Sequence, residues 1–243
     1  SFNEGINAFG ATAKNLIGNN TIDCVAGGIA GAFNHDKSIL VNSPNLKDWE
    51  DKNIKESLEN LFNSPVTLEN DAVVVGLGEA TQGAGKDYSI VVYYTFSTGV
   101  GGIKITDGEI SPSEFGYESG HQIIDINSNK LCNCGGLGHL ESFVSGTAIK
   151  QIYGVVPEEL TDEDAWSEIT RIVASGLANV TVHWSPQIIV LGGGVSQKLD
   201  IEMLSKSLSS MLPIFKNRAP KLSLASLGEK GGLYGGLSLA TRL

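Results

Sequence analysis

Twice in this chain a run of β-branched and aromatic residues feeds straight into glycines. Tyr88 to Thr95 leads into Ser97-Thr98-Gly99-Val100-Gly101-Gly102, and Ile188-Ile189-Val190 into Leu191-Gly192-Gly193-Gly194. A strand that ends in a Gly-rich turn presents backbone N–H groups beyond its C-terminal end, where open α/β sheets hold ligands. Taken singly, each junction also fits a plain hairpin bend. Thirty glycines against seven prolines fit a chain that uses its backbone in this way.

The rest of the pattern alternates strands with helices. Ile6, Phe9, Ala13, Leu16 and Ile17 recur at helical spacing, and Thr21 to Ile29 reads as a buried strand broken by glycines. Ser38 to Val41 and Pro65 to Leu68 are strand-like, with a helix between them carrying Ile54, Leu58, Leu61 and Phe62 on one face. A Gly-containing helix follows over 72–82, and Asp107-Gly108 marks a hairpin turn after Ile103. Helices are expected at 140–152, 162–183, 200–215 and 232–243, with strands at 187–191 and 222–227. The fold class is α/β.

Charge narrows the partners. Seventeen Lys and Arg against 27 Asp and Glu give a net charge of −10. An acidic chain without a basic patch argues against nucleic acid and against anionic membrane as partners. No apolar run approaches the roughly 20 residues that a bilayer-spanning helix needs. The first residues lack the layout of a signal peptide, and a cytoplasmic location is expected.

Four groups of residues carry chemistry. His121, Cys132, Cys134 and His139 place soft and borderline ligands around a Gly-rich loop, which suits a closed, tetrahedral structural zinc. The plainer reading is a free thiol pair beside two surface histidines. Cys24, alone in an apolar run, is an ordinary buried hydrophobe. Glu69-Asn70-Asp71 stands where a strand becomes a helix, so Asp71 either accepts a proton from a substrate hydroxyl or merely caps the helix. The two strand–glycine junctions, taken with that carboxylate, suggest a nucleotide site split between two lobes. Glu118 and Glu141, close to the histidines of the loop, are either ligand-facing acids or solvated charges.

Together these residues resemble a known family. Glu118-Ser119-Gly120-His121, followed by Cys132-x-Cys134-Gly135-x-x-Gly138-His139-x-Glu141, is similar to the zinc signature of the ROK family of repressors and sugar kinases. Glu69-Asn70-Asp71-Ala72, Thr98-Gly99-Val100-Gly101-Gly102 and Leu191-Gly192-Gly193-Gly194 match that family in order and spacing. Ser43-Pro44-Asn45-Leu46 and the run from Leu227 to Gly235 look like its flanking motifs.

The resemblance implies the two-lobed hexokinase/actin-like ATPase fold. Residues 1–70 would form a small lobe joined by the closing helix 232–243, and 71–231 a large lobe with the zinc loop. It implies ATP-dependent phosphorylation of a hexose, such as glucose, N-acetylmannosamine or fructose, by a cytoplasmic homodimer. Asp71 would be the general base. Asn45, Asn70, Glu118, His121 and Glu141 would hold the sugar, with His121 also a zinc ligand beside Cys132, Cys134 and His139. Thr98 and Gly99 would face the terminal phosphates, Gly192, Gly193 and Gly194 the adenosine, and Mg²⁺ would assist. The alternative within the same fold is a sugar-binding protein that has lost ATP chemistry.

The sequence also departs from the family pattern. His139 replaces the third zinc cysteine, Ser97 stands at a usual Gly, Ala30 at a usual Pro and Val73 at a usual Asn. The opening hairpin with Asp-x-Gly-Gly-Thr has no counterpart in these residues. The expectation is therefore a small lobe without its first strands, through truncation, supply by another chain or degeneration. An unpaired sheet edge and reduced or absent kinase activity for this chain alone would follow.

Overall fold

The computed structural model describes residues 1–18, 20–43, 46–114, 116–216 and 218–242. The chain opens with α1 (Phe2–Ile17), where Ser1 and Glu4 form a reciprocal capping box. Its apolar stripe lies on Trp49, which Phe2 meets edge-on at 5.0 Å between ring centroids. The short strands β1 (Val25–Ile29), β2 (Ala32–Phe33) and β3 (Leu40–Asn42) follow, then α2 (Ile54–Phe62) and β4 (Val66–Asn70).

β1 and β4 form a parallel pair, Val25 facing Val66 and Ile29 facing Asn70, while β2 and β3 pair antiparallel. The strand expected from Thr21 begins only at Val25. Its first ladder bond runs from the Val25 N–H to the Pro65 carbonyl, and Pro65 has no N–H to carry the pairing further. β1 is half-buried rather than buried. Leu40, Ile54, Leu58, Val66 and Leu68 make the apolar core of this part.

The large sheet has five strands in the order β7-β6-β5-β8-β9. They are β5 (Ile90–Phe96), β6 (Val100–Thr106), β7 (Glu109–Ile110), β8 (Ile188–Gly192) and β9 (Lys221–Leu224). β5, β8 and β9 run parallel, and β6 and β7 are antiparallel neighbours. Side chains alternate across this sheet with period two. Val91, Tyr93, Ile188 and Val190 join one apolar core, whereas Val92, Tyr94, Phe96, Ile189 and Leu191 join the other. α3 (Asp71–Thr81) covers the first face, and α6 (Glu163–Trp184) with α7 (Ile201–Met211) covers the second.

The expected Asp107-Gly108 hairpin is present, both residues taking positive φ, 52° and 76°. The helix expected at 140–152 is instead two, α4 (Glu141–Val144) and α5 (Gly146–Tyr153). Ser145 separates them with extended backbone, and its hydroxyl caps α5 by accepting the Ala148 N–H at 3.1 Å. α7 stops at Met211 rather than 215 because Pro213 follows. The closing helix α8 (Gly231–Ala240) packs on α3 and β1. That approach requires glycine, since a Cβ at Gly235 would overlap the Val74 carbonyl and one at Gly78 the Gly231 carbonyl.

Candidate functional site

β4 runs directly into α3, and the junction decides where Asp71 points. Asn70, not Asp71, is the N-cap of the helix: its Oδ1 accepts the Ala72 N–H at 2.9 Å. Its Nδ2 donates to the Gly31 carbonyl at 3.0 Å, tying the junction to the turn after β1. Both ends of the Asn70 amide are thereby taken up by backbone. Asp71 is the first helical residue, exposed, and lines a cleft of about 910 Å³. Asp71 shares in the capping, since its Oδ1 also accepts the Ala72 N–H at 2.9 Å, while its other carboxylate oxygen is left without a partner among the described residues on the cleft side.

The opposite wall of that cleft is the turn between β5 and β6. Phe96 and Val100 are paired across it, and the Ser97 N–H donates to the Gly99 carbonyl at 2.9 Å. Thr98 is exposed at the tip and, with Ser97, Gly99 and Gly102, lines the cleft. Tyr93 and Thr95, which share one face of β5, line it as well. Burial pushes the Tyr93 phenol up to about 12, so it stays a neutral hydroxyl. Neither residue was singled out from the sequence, although period-two alternation along a strand ending at the cleft is the signal that finds them.

Glu118 and Glu141 line the same cleft. The segment that carries Glu118 and His121 is held to the large sheet by a polar network. Gln122 Nε2 donates to the Tyr94 hydroxyl and to the Ser119 carbonyl, both at 2.9 Å, while Asn179 donates to Gln122 Oε1 at 2.9 Å. His121 Nε2 stands 3.8 Å from Glu118 Oε2. Its other nitrogen, Nδ1, lies 3.5 Å from Cys132 Sγ. Cys134 Sγ is 3.2 Å from His139 Nδ1.

The ligand atoms of His121, Cys132, Cys134 and His139 all lie within 4.8 Å of one another. Two imidazoles and two thiols converging in this way fit a tetrahedral zinc ion. Burial pushes the Cys132 thiol up to about 11, so a bound cation would have to displace that proton. None of these four residues lines the cleft, but Glu118 and Glu141, which do, stand 3.8 Å from His121 Nε2 and 3.6 Å from Cys132 Sγ.

Gly192, Gly193 and Gly194 are not among the residues lining this cleft. Gly192 ends β8 opposite Thr95 and lies beneath the Tyr93 hydroxyl, and Gly193 backs onto the Phe96 carbonyl. The second glycine turn therefore lies against Tyr93, Thr95 and Phe96, the first two of which line the cleft. On the β1–β4 side, Asn34, His35 and Lys37 line the cleft, and Lys37 Nζ pairs with Glu69 at 3.3 Å. Asn45, expected at the sugar, lies outside the described residues, as does Pro44 of the same motif. Among the described residues no helix is long and apolar enough to cross a membrane.

Comparison with known proteins gives one consistent result. The model of the ROK family matches residues 3–242. A glucokinase of Streptomyces coelicolor is 31% identical, over 88% of this chain and 78% of its own. The xylose repressor of Bacillus subtilis is 27% identical, over 85% of this chain and 58% of its own. Among solved structures, a ROK family glucokinase from Streptomyces griseus in complex with glucose and AMPPNP superposes with a TM-score of 0.80. It is 28% identical, with 99% of this chain and 88% of that chain covered. The architecture is that of the hexokinase/actin-like ATPase fold.

Proposed function

The chain belongs to the ROK family, and on that premise we propose that it transfers the terminal phosphoryl group of ATP to a hydroxyl of a hexose. Glucose or a close relative is the substrate. The observation that carries this reading is Asp71, exposed at the head of α3 and lining the same cleft as a Gly-rich turn with an exposed threonine.

In this mechanism the sugar lies between Asp71 and the two acids Glu118 and Glu141. These acids accept hydrogen bonds from the hydroxyls that do not react, and His121 joins them through Nε2, the nitrogen on the Glu118 side, which fixes the reacting oxygen beside the Asp71 carboxylate. Asn70 keeps the junction rigid through its two backbone bonds and presents its remaining edge to the sugar. ATP enters as its magnesium complex, with its phosphates on Thr98 and Gly99 and its adenosine toward Gly192, Gly193 and Gly194. The sugar oxygen attacks the γ-phosphorus, the bond to the β-bridging oxygen breaks, ADP leaves and the proton passes to Asp71. Neutral Tyr93, on the cleft floor, is a hydrogen-bond donor at that end. Zinc held by His121, Cys132, Cys134 and His139 would cross-link the loop and keep Glu118, His121 and Glu141 in place, with no part in bond making.

The test is an ATP-coupled phosphorylation assay over a panel of hexoses, run on this chain and on any longer product of the same gene. Phosphorylation of one hexose well above the others supports the reading. Sugar binding without turnover in either form would replace it with a non-catalytic sugar-binding protein.

A further inference from the structure

The turn at Ser97–Val100 is gripped from outside by one short stretch of chain, and that stretch begins at a residue of the cysteine–histidine cluster. Glu141, two residues beyond His139, accepts the Val100 N–H on Oε2 at 2.9 Å. Its other oxygen, Oε1, is 3.6 Å from Cys132 Sγ. Gly146 N–H donates to the Ser97 carbonyl at 2.7 Å, and Thr147 donates to the Thr98 carbonyl through Oγ1 at 2.9 Å. The fit is close, since a Cβ at Gly99 would stand 2.8 Å from Glu141 Oε2. Between these contacts, Ser142 Oγ donates back to the His139 carbonyl at 2.6 Å, so the stretch is itself braced to the cluster.

We propose that residues 139–147 are a clamp through which metal bound at His121, Cys132, Cys134 and His139 stiffens the Ser97–Val100 turn, with Glu141 and Thr147 as positioning residues for nucleotide phosphates. The proposal rests on the kinase reading for what the turn binds, but not for the mechanical link. Glu141 is two residues from His139 and Ser142 braces the stretch between them, so when the loop loosens at His139, Glu141 moves with it and the Val100 N–H loses its acceptor. Thr98 then loses the fixed position from which its hydroxyl and the neighbouring amides meet phosphate.

Two measurements test the clamp. Hydrogen exchange of the Val100 amide is read in zinc-loaded and in chelated protein, with Ile189 to Leu191 in β8 as the internal reference. Exchange at Val100 rises about tenfold on chelation while the β8 amides stay protected; unchanged exchange at Val100 overturns the proposal. Separately, Thr147→Val, at a partly exposed position, keeps the metal and removes one hydrogen bond. It raises the KM for ATP about 3- to 10-fold, the size expected of one such bond, with the hexose KM held and with recovery in Thr147→Ser. An equal rise in both KM values overturns the proposal. Wild-type, zinc-loaded protein that binds no nucleotide would sink the kinase reading, while the exchange measurement still decides the clamp.

Discussion

Gly28 of β1 passes directly over the start of α3, so that a Cβ there would stand 2.9 Å from the Asp71 Cα and 3.0 Å from Val74 Cγ2. The backbone of one strand therefore fixes where the carboxylate of the cleft begins. Gly28→Ala has to push α3 away or bend β1. A cost of about 1–3 kcal/mol is expected from such overpacking. Because Asp71 moves with the helix, kcat falls together with the denaturation midpoint. A variant with wild-type kcat would show that this contact does not place the carboxylate.

Asp71 and Asn70 separate chemistry from stability at adjacent positions. Asp71→Asn keeps the Asn70 cap and an amide oxygen able to accept the Ala72 N–H, so it is expected to fold as the wild type does, with kcat lower by about 10²- to 10⁴-fold, the usual share of a general base. Asn70→Ala loses the link to Gly31 and leaves Asp71 Oδ1 as the remaining side-chain acceptor of the Ala72 N–H, costing roughly 1 kcal/mol of stability. Steady-state kinetics beside thermal melts of both variants check the division. Asp71→Asn that retains turnover within a few-fold of wild type would remove Asp71 from the mechanism.

Much of this arrangement is legible in the sequence. The strand–glycine junctions, the Asp107-Gly108 hairpin and the His–Cys cluster all follow from local patterns that survive into the fold, because each is set by backbone sterics or by ligand chemistry. What stayed hidden depends on partners distant in sequence. Asn70 shares the cap of α3 with Asp71 and also ties it to the turn after β1, through its Nδ2 on the Gly31 carbonyl. Ser145 breaks an apparent helix so that Gly146 and Thr147 reach the Ser97–Thr98 carbonyls. The placing of Gly192 behind Tyr93 and of Gly193 behind Phe96 follows from parallel pairing of β5 with β8, about a hundred residues apart, which no local window displays.

Metal removal should act locally. The large sheet and its helices have their own apolar cores, whereas the loop from Gln122 to Gly138 exposes Ile123, Ile126, Leu131 and Leu137. With so little buried apolar surface of its own, the loop depends on its cross-link. Chelation, or Cys134→Ser, is expected to abolish stoichiometric zinc and to open this loop to protease while α6 and β8 stay intact. Mass mapping of early cleavage sites reads this directly. Full zinc content in Cys134→Ser would remove that thiol from the ligand set.

Glu79 is the least expected residue of α3, a carboxylate only 1% exposed in a helix that otherwise buries Val74, Leu77 and Ala80. Its Oε1 accepts the N–H groups of Ser226 and Leu227, both at 2.8 Å, and its Oε2 accepts the Ala84 N–H at 2.9 Å and the Ser226 hydroxyl at 3.2 Å. One side chain thereby fastens the end of α3 to the approach to α8, and the two helices that pack through Gly78 and Gly235 share that fastening. Glu79→Ala leaves three backbone donors without their acceptor, and each such donor costs about 1–3 kcal/mol when it stays buried. A loss on the order of 3 kcal/mol is expected after partial rehydration. Glu79→Gln is not a rescue, since its NH₂ must face either the Ser226 and Leu227 amides or that of Ala84, and a loss of similar sign follows. Urea unfolding of the three proteins measures it as a lower midpoint at unchanged slope. A glutamine variant as stable as wild type would mean that this carboxylate is not what joins α3 to the 226–227 turn.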